Sequence, residues 1–138
     1  MRRGLFPRAL LPSLCLLLAS CGGAASQANP FVGTGGKWSN GETHVGGTDY
    51  GNRYSAGLAR ASAADRGALL AQGIDATERR CSAVEKESFK GALEGKAFWA
   101  VDCGRGDYLL TIDKDGAVKA QSCTVQASYG PGCWVDWE

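Results

Sequence analysis

Between Ala97 and Cys123 apolar and polar residues alternate with a period of two, as they do on a half-buried strand whose successive side chains point to opposite faces. Pairing Ala97–Cys103 with Tyr108–Asp113 across Gly104-Arg105-Gly106-Asp107 places Trp99, Val101 and Cys103 on one apolar face, opposite Ile112, Leu110 and Tyr108. A second turn, Lys114-Asp115-Gly116, has glycine where a positive φ is needed and sets Val118 against Ile112 and Ala120 against Leu110 on that face. The other face carries Phe98, Asp102, Thr111, Asp113, Lys119 and Gln121, so the pattern predicts an antiparallel meander wet on one side. A slip of one residue would turn Lys119 into the core.

Upstream, the period changes. Ser62-Ala63-Ala64-Asp65 has the form of a capping box with Asp in place of Glu, and Ala64, Ala68 and Ala71 with Leu69 and Leu70 form an apolar helical side. Gly73 is the expected stop and Gly67 weakens the helix by about 1 kcal/mol relative to alanine. Asp75 to Arg80 is either one more helical turn or loop, and Cys81 to Glu87 is a solvated edge strand lying antiparallel to the Ala97 strand. The fold class expected is α+β: one N-terminal helix packed on a small antiparallel meander of three to four strands, stapled by two disulfides.

Residues 22–57 show no apolar periodicity and contain ten glycines in 36 positions. Ordering so much glycine is entropically costly, so residues 21–57 are expected to be a flexible tether and 58–138 the folded domain. Phe31, Trp38, Tyr50 and Tyr54 are aromatic exceptions that could dock on a partner or fold back on the domain. Gly33-Thr34-Gly35-Gly36-Lys37 is not a phosphate loop, because no apolar strand precedes it and Trp38 stands where Ser or Thr is required. His44, the single histidine, is expected to be a solvated loop residue.

Residues 1–20 change the picture of the compartment. Arg2, Arg3 and Arg8 precede the run Leu10 to Leu18, which is too short to span a bilayer and is followed by small residues, the layout of a secretory signal. Leu18-Ala19-Ser20-Cys21 resembles a bacterial lipobox, in which cleavage precedes a cysteine that carries lipid. The resemblance implies a diacylglyceryl thioether and a further acyl chain on Cys21, and two or more chains anchor stably where one does not. Gly22 after that cysteine points to the outer membrane, facing the periplasm, under the sorting rule of enteric bacteria. The full chain has 15 basic and 14 acidic residues, and loss of the three arginines leaves 12 against 14, net −2. That balance argues against nucleic acid as a partner, since nucleic-acid binding needs a concentrated basic surface.

Of six cysteines, Cys15 leaves with the signal and Cys21 is lipidated, leaving Cys81, Cys103, Cys123 and Cys133. In an oxidising compartment four cysteines in a small domain predict two disulfides, with three possible connectivities. The strand register puts Cys103 and Cys123 on opposite faces, which disfavours bonding them to each other, and an antiparallel Cys81–Glu87 strand would set Cys81 beside Cys103, so the preferred pairing is Cys81–Cys103 with Cys123–Cys133. A metal site is not expected, since the chain has one histidine and no CxxC pair.

The order helix, glycine stop, edge strand, hairpin and last strand resembles the PepSY-like group of small bacterial envelope domains. The matching residues are Ser62-Ala63-Ala64-Asp65, Gly73, Val84-Glu85-Lys86 and the strand and turn Tyr108 to Gly116. The four cysteines and the tail Cys133-Trp134-Val135-Asp136-Trp137 lie outside that pattern. The resemblance implies a non-catalytic domain that binds or restrains an extracytoplasmic protein and names no active residue.

Three short matches are weighed as turns or caps. Arg105-Gly106-Asp107 is the tripeptide that integrins read, but here it falls in a glycine-rich hairpin loop. Asp113-x-Asp115-Gly116 lacks the further ligands of a calcium loop, Thr124 standing at position twelve. Trp134 and Trp137 either cap the core or form an aromatic patch for a partner, since Trp is overrepresented where binding energy concentrates. Catalysis is not expected: the histidine lies in the tether segment, the cysteines are expected to be oxidised, and no carboxylate pair is tied together by spacing. The functional expectation is therefore a cell-envelope lipoprotein without cofactor, acting as a binding or inhibitory module for an extracytoplasmic protein. The alternative is a structural surface lipoprotein without a discrete ligand.

Overall fold

A computed structural model describes residues 42–137 of the chain. The signal segment, Cys21, Phe31 and Trp38 lie outside the described residues. In chain order the elements are β1 (His44–Val45), β2 (Thr48–Asp49), α1 (Arg53–Arg60), α2 (Ala63–Asp75), β3 (Lys86–Leu93), β4 (Lys96–Asp102), β5 (Asp107–Ile112), β6 (Val118–Ser122) and α3 (Cys123–Gln126). Strands β3 to β6 form one antiparallel sheet in sequence order, and β1 with β2 forms a second, two-stranded one.

This arrangement overturns the expected fold class. In place of one helix on a single meander, the described residues form three helices and two antiparallel sheets in a small mixed α/β domain. The difference has three physical sources.

The first is the segment from Glu42 to Arg60, whose N-terminal part was expected to belong to a tether. Gly46 and Gly47, at φ +57° and +85°, make the tight β1–β2 turn. Asn52 then caps α1, its Oδ1 accepting from the Ser55 N–H at 2.9 Å. Five consecutive residues of α1, Tyr54 to Leu58, are buried, so the helix is covered on most of its circumference, and Tyr50 packs on Phe89 and Trp99 with ring centroids 4.4 and 6.1 Å away. Burying a side chain of the size of Leu58 contributes roughly 1.5–3 kcal/mol, more than the ~1 kcal/mol that each glycine costs. Of the two alternatives for Tyr50 and Tyr54, both residues fold back on the domain.

The second source is the hairpin before β4. Cys81 lies outside any strand, and the edge strand is Lys86–Leu93, joined to β4 by the two-residue turn Glu94-Gly95 with both residues at positive φ. Gly91, at φ +129°, marks the bulge where the β3–β4 register shifts.

The third is the outer face of the sheet, which is covered rather than wet. Ala100 and Leu109 are buried there beneath Cys133, with Phe98, Cys123, Trp134 and Trp137 packed around them.

Other features follow the alternation. Val118 opposes Ile112 and Ala120 opposes Leu110. The β4–β5 register pairs Trp99 with Leu110 and Val101 with Tyr108, two residues from the expected pairing, which leaves every side chain on its expected face. Ser62 caps α2 by accepting from Asp65 N–H at 3.1 Å, whereas Gly73 is buried inside the helix and the C-cap is Ala76. The main core lies between α1, α2 and the inner face: Tyr54, Leu58, Leu70, Ile74, Trp99, Val101, Leu110 and Ile112. Within it, Trp99 Nε1 donates to the buried Ser55 Oγ at 2.8 Å.

Candidate functional site

The two disulfides, Cys81–Cys103 and Cys123–Cys133, have Cα separations of 5.2 and 5.5 Å. Each organises a different part of the surface.

Cys123–Cys133 closes a loop that begins with α3, which Ser122 caps by accepting from Val125 N–H at 3.3 Å. The tail beyond Cys133 is turned inward. Trp134 Nε1 donates to Asp107 Oδ2 at 2.8 Å, and Lys86 Nζ lies 4.4 Å from the centre of its ring. Trp137 Nε1 donates to Gly132 O at 3.1 Å while its ring meets Phe98 at 5.7 Å. Both indoles, named as partner-binding candidates from the sequence, therefore have their N–H groups occupied and their rings packed on the outer-face core. What faces solvent instead is Tyr129, 84% exposed, with Val125 and Val135 about half exposed. The bond to Trp134 also takes up one carboxylate oxygen of the Arg105-Gly106-Asp107 tripeptide, whose aspartate begins β5.

Cys81–Cys103 forms the wall of a groove of about 450 Å³ that is also lined by Asp75, Arg80, Ser82, Arg105 and Tyr108. Asp75 Oδ1 accepts from Cys81 N–H at 2.8 Å, which folds the segment after α2 back so that its cysteine reaches Cys103. Cys103 N–H in turn donates to Gly106 O at 3.0 Å, and Gly104 at φ +74° turns the chain beneath Arg105. Arg79 stands outside the lining; its Nε donates to Ala120 O at 3.0 Å and its guanidinium lies 5.6 Å from the Tyr108 ring centre. Among the described residues the ion pairs are Arg60–Glu42 at 3.0 Å and Arg66–Glu87 at 2.6 Å, so neither Arg80 nor Arg105 is in one. The groove was not anticipated from the sequence, yet a signal was present: Arg80 precedes Cys81 and Arg105 follows Cys103 by two, so joining the cysteines gathers the arginines.

Two of the aspartates singled out in the sequence are used by local turns. Asp102 Oδ1 accepts from Gly104 N–H at 2.8 Å, and Asp115 Oδ1 accepts from Ala117 N–H at 3.0 Å within the β5–β6 turn. His44 is exposed beside Thr43, with Nδ1 3.1 Å from the hydroxyl. Asp49 is held below the usual carboxylate range, chiefly by the Gly51 N–H that it accepts at 2.9 Å, then by Thr43 and the nearby His44. Among the described residues no group of three or more His, Cys, Asp or Glu is placed to hold a metal ion. No described helix is long and apolar enough to cross a membrane. No protein-family model, no curated protein and no solved structure matches this chain.

Proposed function

We propose that the chain is a lipid-anchored, non-catalytic binding module of the bacterial cell envelope, held to the outer membrane through Cys21 and engaging an extracytoplasmic protein with the loop that Cys123–Cys133 closes. The observation that carries this reading is Tyr129, 84% exposed on a loop whose ends are fixed by the disulfide and whose base rests on the indoles beneath it. A large amphipathic ring costs least to bind with when its backbone is already ordered, and rings of this kind concentrate affinity in interfaces. Val125 and Val135 supply apolar surface in the same segment. The lipobox-like junction supports the same reading.

The test is in-cell photocrosslinking of the full chain in its native envelope, with a benzophenone side chain at position 129 or, as a control, at Leu93, an exposed apolar residue outside the loop, 66% exposed. A discrete protein adduct from position 129 that is absent from position 93, and that weakens when Val125 is changed to Ser, is the expected result. No adduct, or the same set from both positions, refutes the reading and favours a structural surface protein without a discrete ligand.

A further inference from the structure

We propose that the groove beside Cys81–Cys103 is a second binding site, one that takes a carboxylate carried on an apolar body. Arg80 and Arg105 line it without an ion-pair partner among the described residues, although the mature chain as a whole would be slightly acidic. Arg80 and Arg105, both exposed, bring guanidinium-bearing side chains to the groove from different loops, and a guanidinium donates through a planar fork that suits an oxyanion. Asp75 sets which oxyanion. Its carboxylate lines the same groove, so two cations and one anion leave the lining at +1, which neutralises a monoanionic carboxylate but leaves one charge of a phosphate dianion uncompensated as it is taken out of water.

The rest of the lining explains the apolar body. The Tyr108 ring and the disulfide are the flat and greasy parts of the wall, and both are held before any ligand arrives. Arg79 lies against Tyr108 while bonded to the Ala120 carbonyl, and Cys81 is tethered through its own N–H to Asp75. A groove of 450 Å³ falls within the range of small-ligand sites. A small aryl or alkyl carboxylic acid and the C-terminal residue of a peptide share this chemistry. The site uses none of the residues assigned above to the protein-binding loop, so either proposal can fail without the other.

The experiment uses the full chain with its disulfides intact, purified in detergent, and follows backbone amide shifts during titration. The probes are 3-phenylpropionate against 3-phenylpropionamide, N-acetyl-Ala-Phe as free acid against its C-terminal amide, and inorganic phosphate. Saturable shifts at Arg80, Arg105 and Tyr108 are expected, with a free acid bound at least ~10-fold more tightly than its amide and than phosphate. Whichever acid binds more tightly identifies the source. Arg80→Gln/Arg105→Gln, checked for an unchanged thermal midpoint, should abolish the preference for acid over amide. Asp75→Glu should keep it, and Asp75→Asn should let phosphate compete. Equal binding of acid and amide, phosphate binding as tightly as the acids, wild-type behaviour of the double variant, or no saturable shift with either acid overturns the proposal.

Discussion

Replacing Asn52 with Ala should destabilise the domain far more than the loss of a helix cap alone. Asn52 is 4% exposed and its side chain does three things at once. Its Oδ1 accepts from Ser55 N–H at 2.9 Å, while Nδ2 donates to Gly95 O at 3.0 Å and to Ile112 O at 2.9 Å. One amide group thus ties the start of α1 to the β3–β4 turn and to the end of β5. Removing the cap costs about 1 kcal/mol. A buried carbonyl left without a donor costs about 1–3 kcal/mol. Ile112 O is buried and Gly95 O is partly buried, so the second receives the lower end of that range. The sum is about 3–5 kcal/mol, a large part of the roughly 5–15 kcal/mol available to a small domain. The assay is urea unfolding under non-reducing conditions, read as a fall in midpoint at constant slope. Asn52→Asp is the informative partner: it keeps the cap but turns a carboxylate oxygen toward two carbonyls, so at neutral pH it should recover little. A loss near 1 kcal/mol for Asn52→Ala, or full recovery with Asp, would show that only the cap matters and refute the argument.

Three further outcomes are expected. Gly51→Ala should cost more than Gly46→Ala in the same unfolding assay. Both positions have positive φ, worth about 1–2 kcal/mol to a side chain, but a Cβ at 51 would lie 2.5 Å from the Ala92 Cβ whereas one at 46 meets nothing within 4 Å. Converting Cys123 and Cys133 together to Ser should lower stability by about 2–4 kcal/mol and increase protease cleavage within 124–132, with cleavage elsewhere little changed on limited digestion. The hairpin β1–β2 should loosen at acid pH, monitored by amide exchange at Gly51. Asp49 has a depressed pKa in the folded state, so its contribution is present above the ordinary aspartate value of 3.8 and is lost as pH falls through the lower folded value. Persistence of Gly51 protection well below that range would contradict the assignment.

The parts of the fold that could be read from the chain were those with a clean period. Val118 and Ala120 found their partners because Gly116, at φ +86°, fixes the length of the turn between β5 and β6. The helix start at Ser62 was legible because a hydroxyl three residues before an amide donor is a local device. The parts that escaped depend on contacts between distant segments. Asn52 caps a helix whose own sequence is short and contains Gly57, and its value comes from carbonyls 43 and 60 positions away. Gly73 has the composition of a stop but is buried in α2, where tertiary packing sustains the last turn. Glu94-Gly95 was missed as a turn because glutamate at positive φ is uncommon outside Asn, Asp and Gly. Trp134 and Trp137 face inward because the second disulfide folds the tail over Ala100 and Leu109, apolar residues on a face expected to be mostly polar. The groove needed the pairing of Cys81 with Cys103 before Arg80 and Arg105 could be seen as neighbours.

The two flanks of the main sheet bear on how densely such a chain can be stored. Along one rim, Gly91 kinks the strand, Lys86 and Lys90 line it, and Lys90 Nζ reaches Val135 O. Along the other, Arg79 occupies the Ala120 carbonyl. A bent, cationic border and a border plugged by guanidinium both deny a neighbouring copy the straight ladder it would need to stack into fibrils. Molecules crowded on a surface would therefore stay separate particles instead of growing into ribbons.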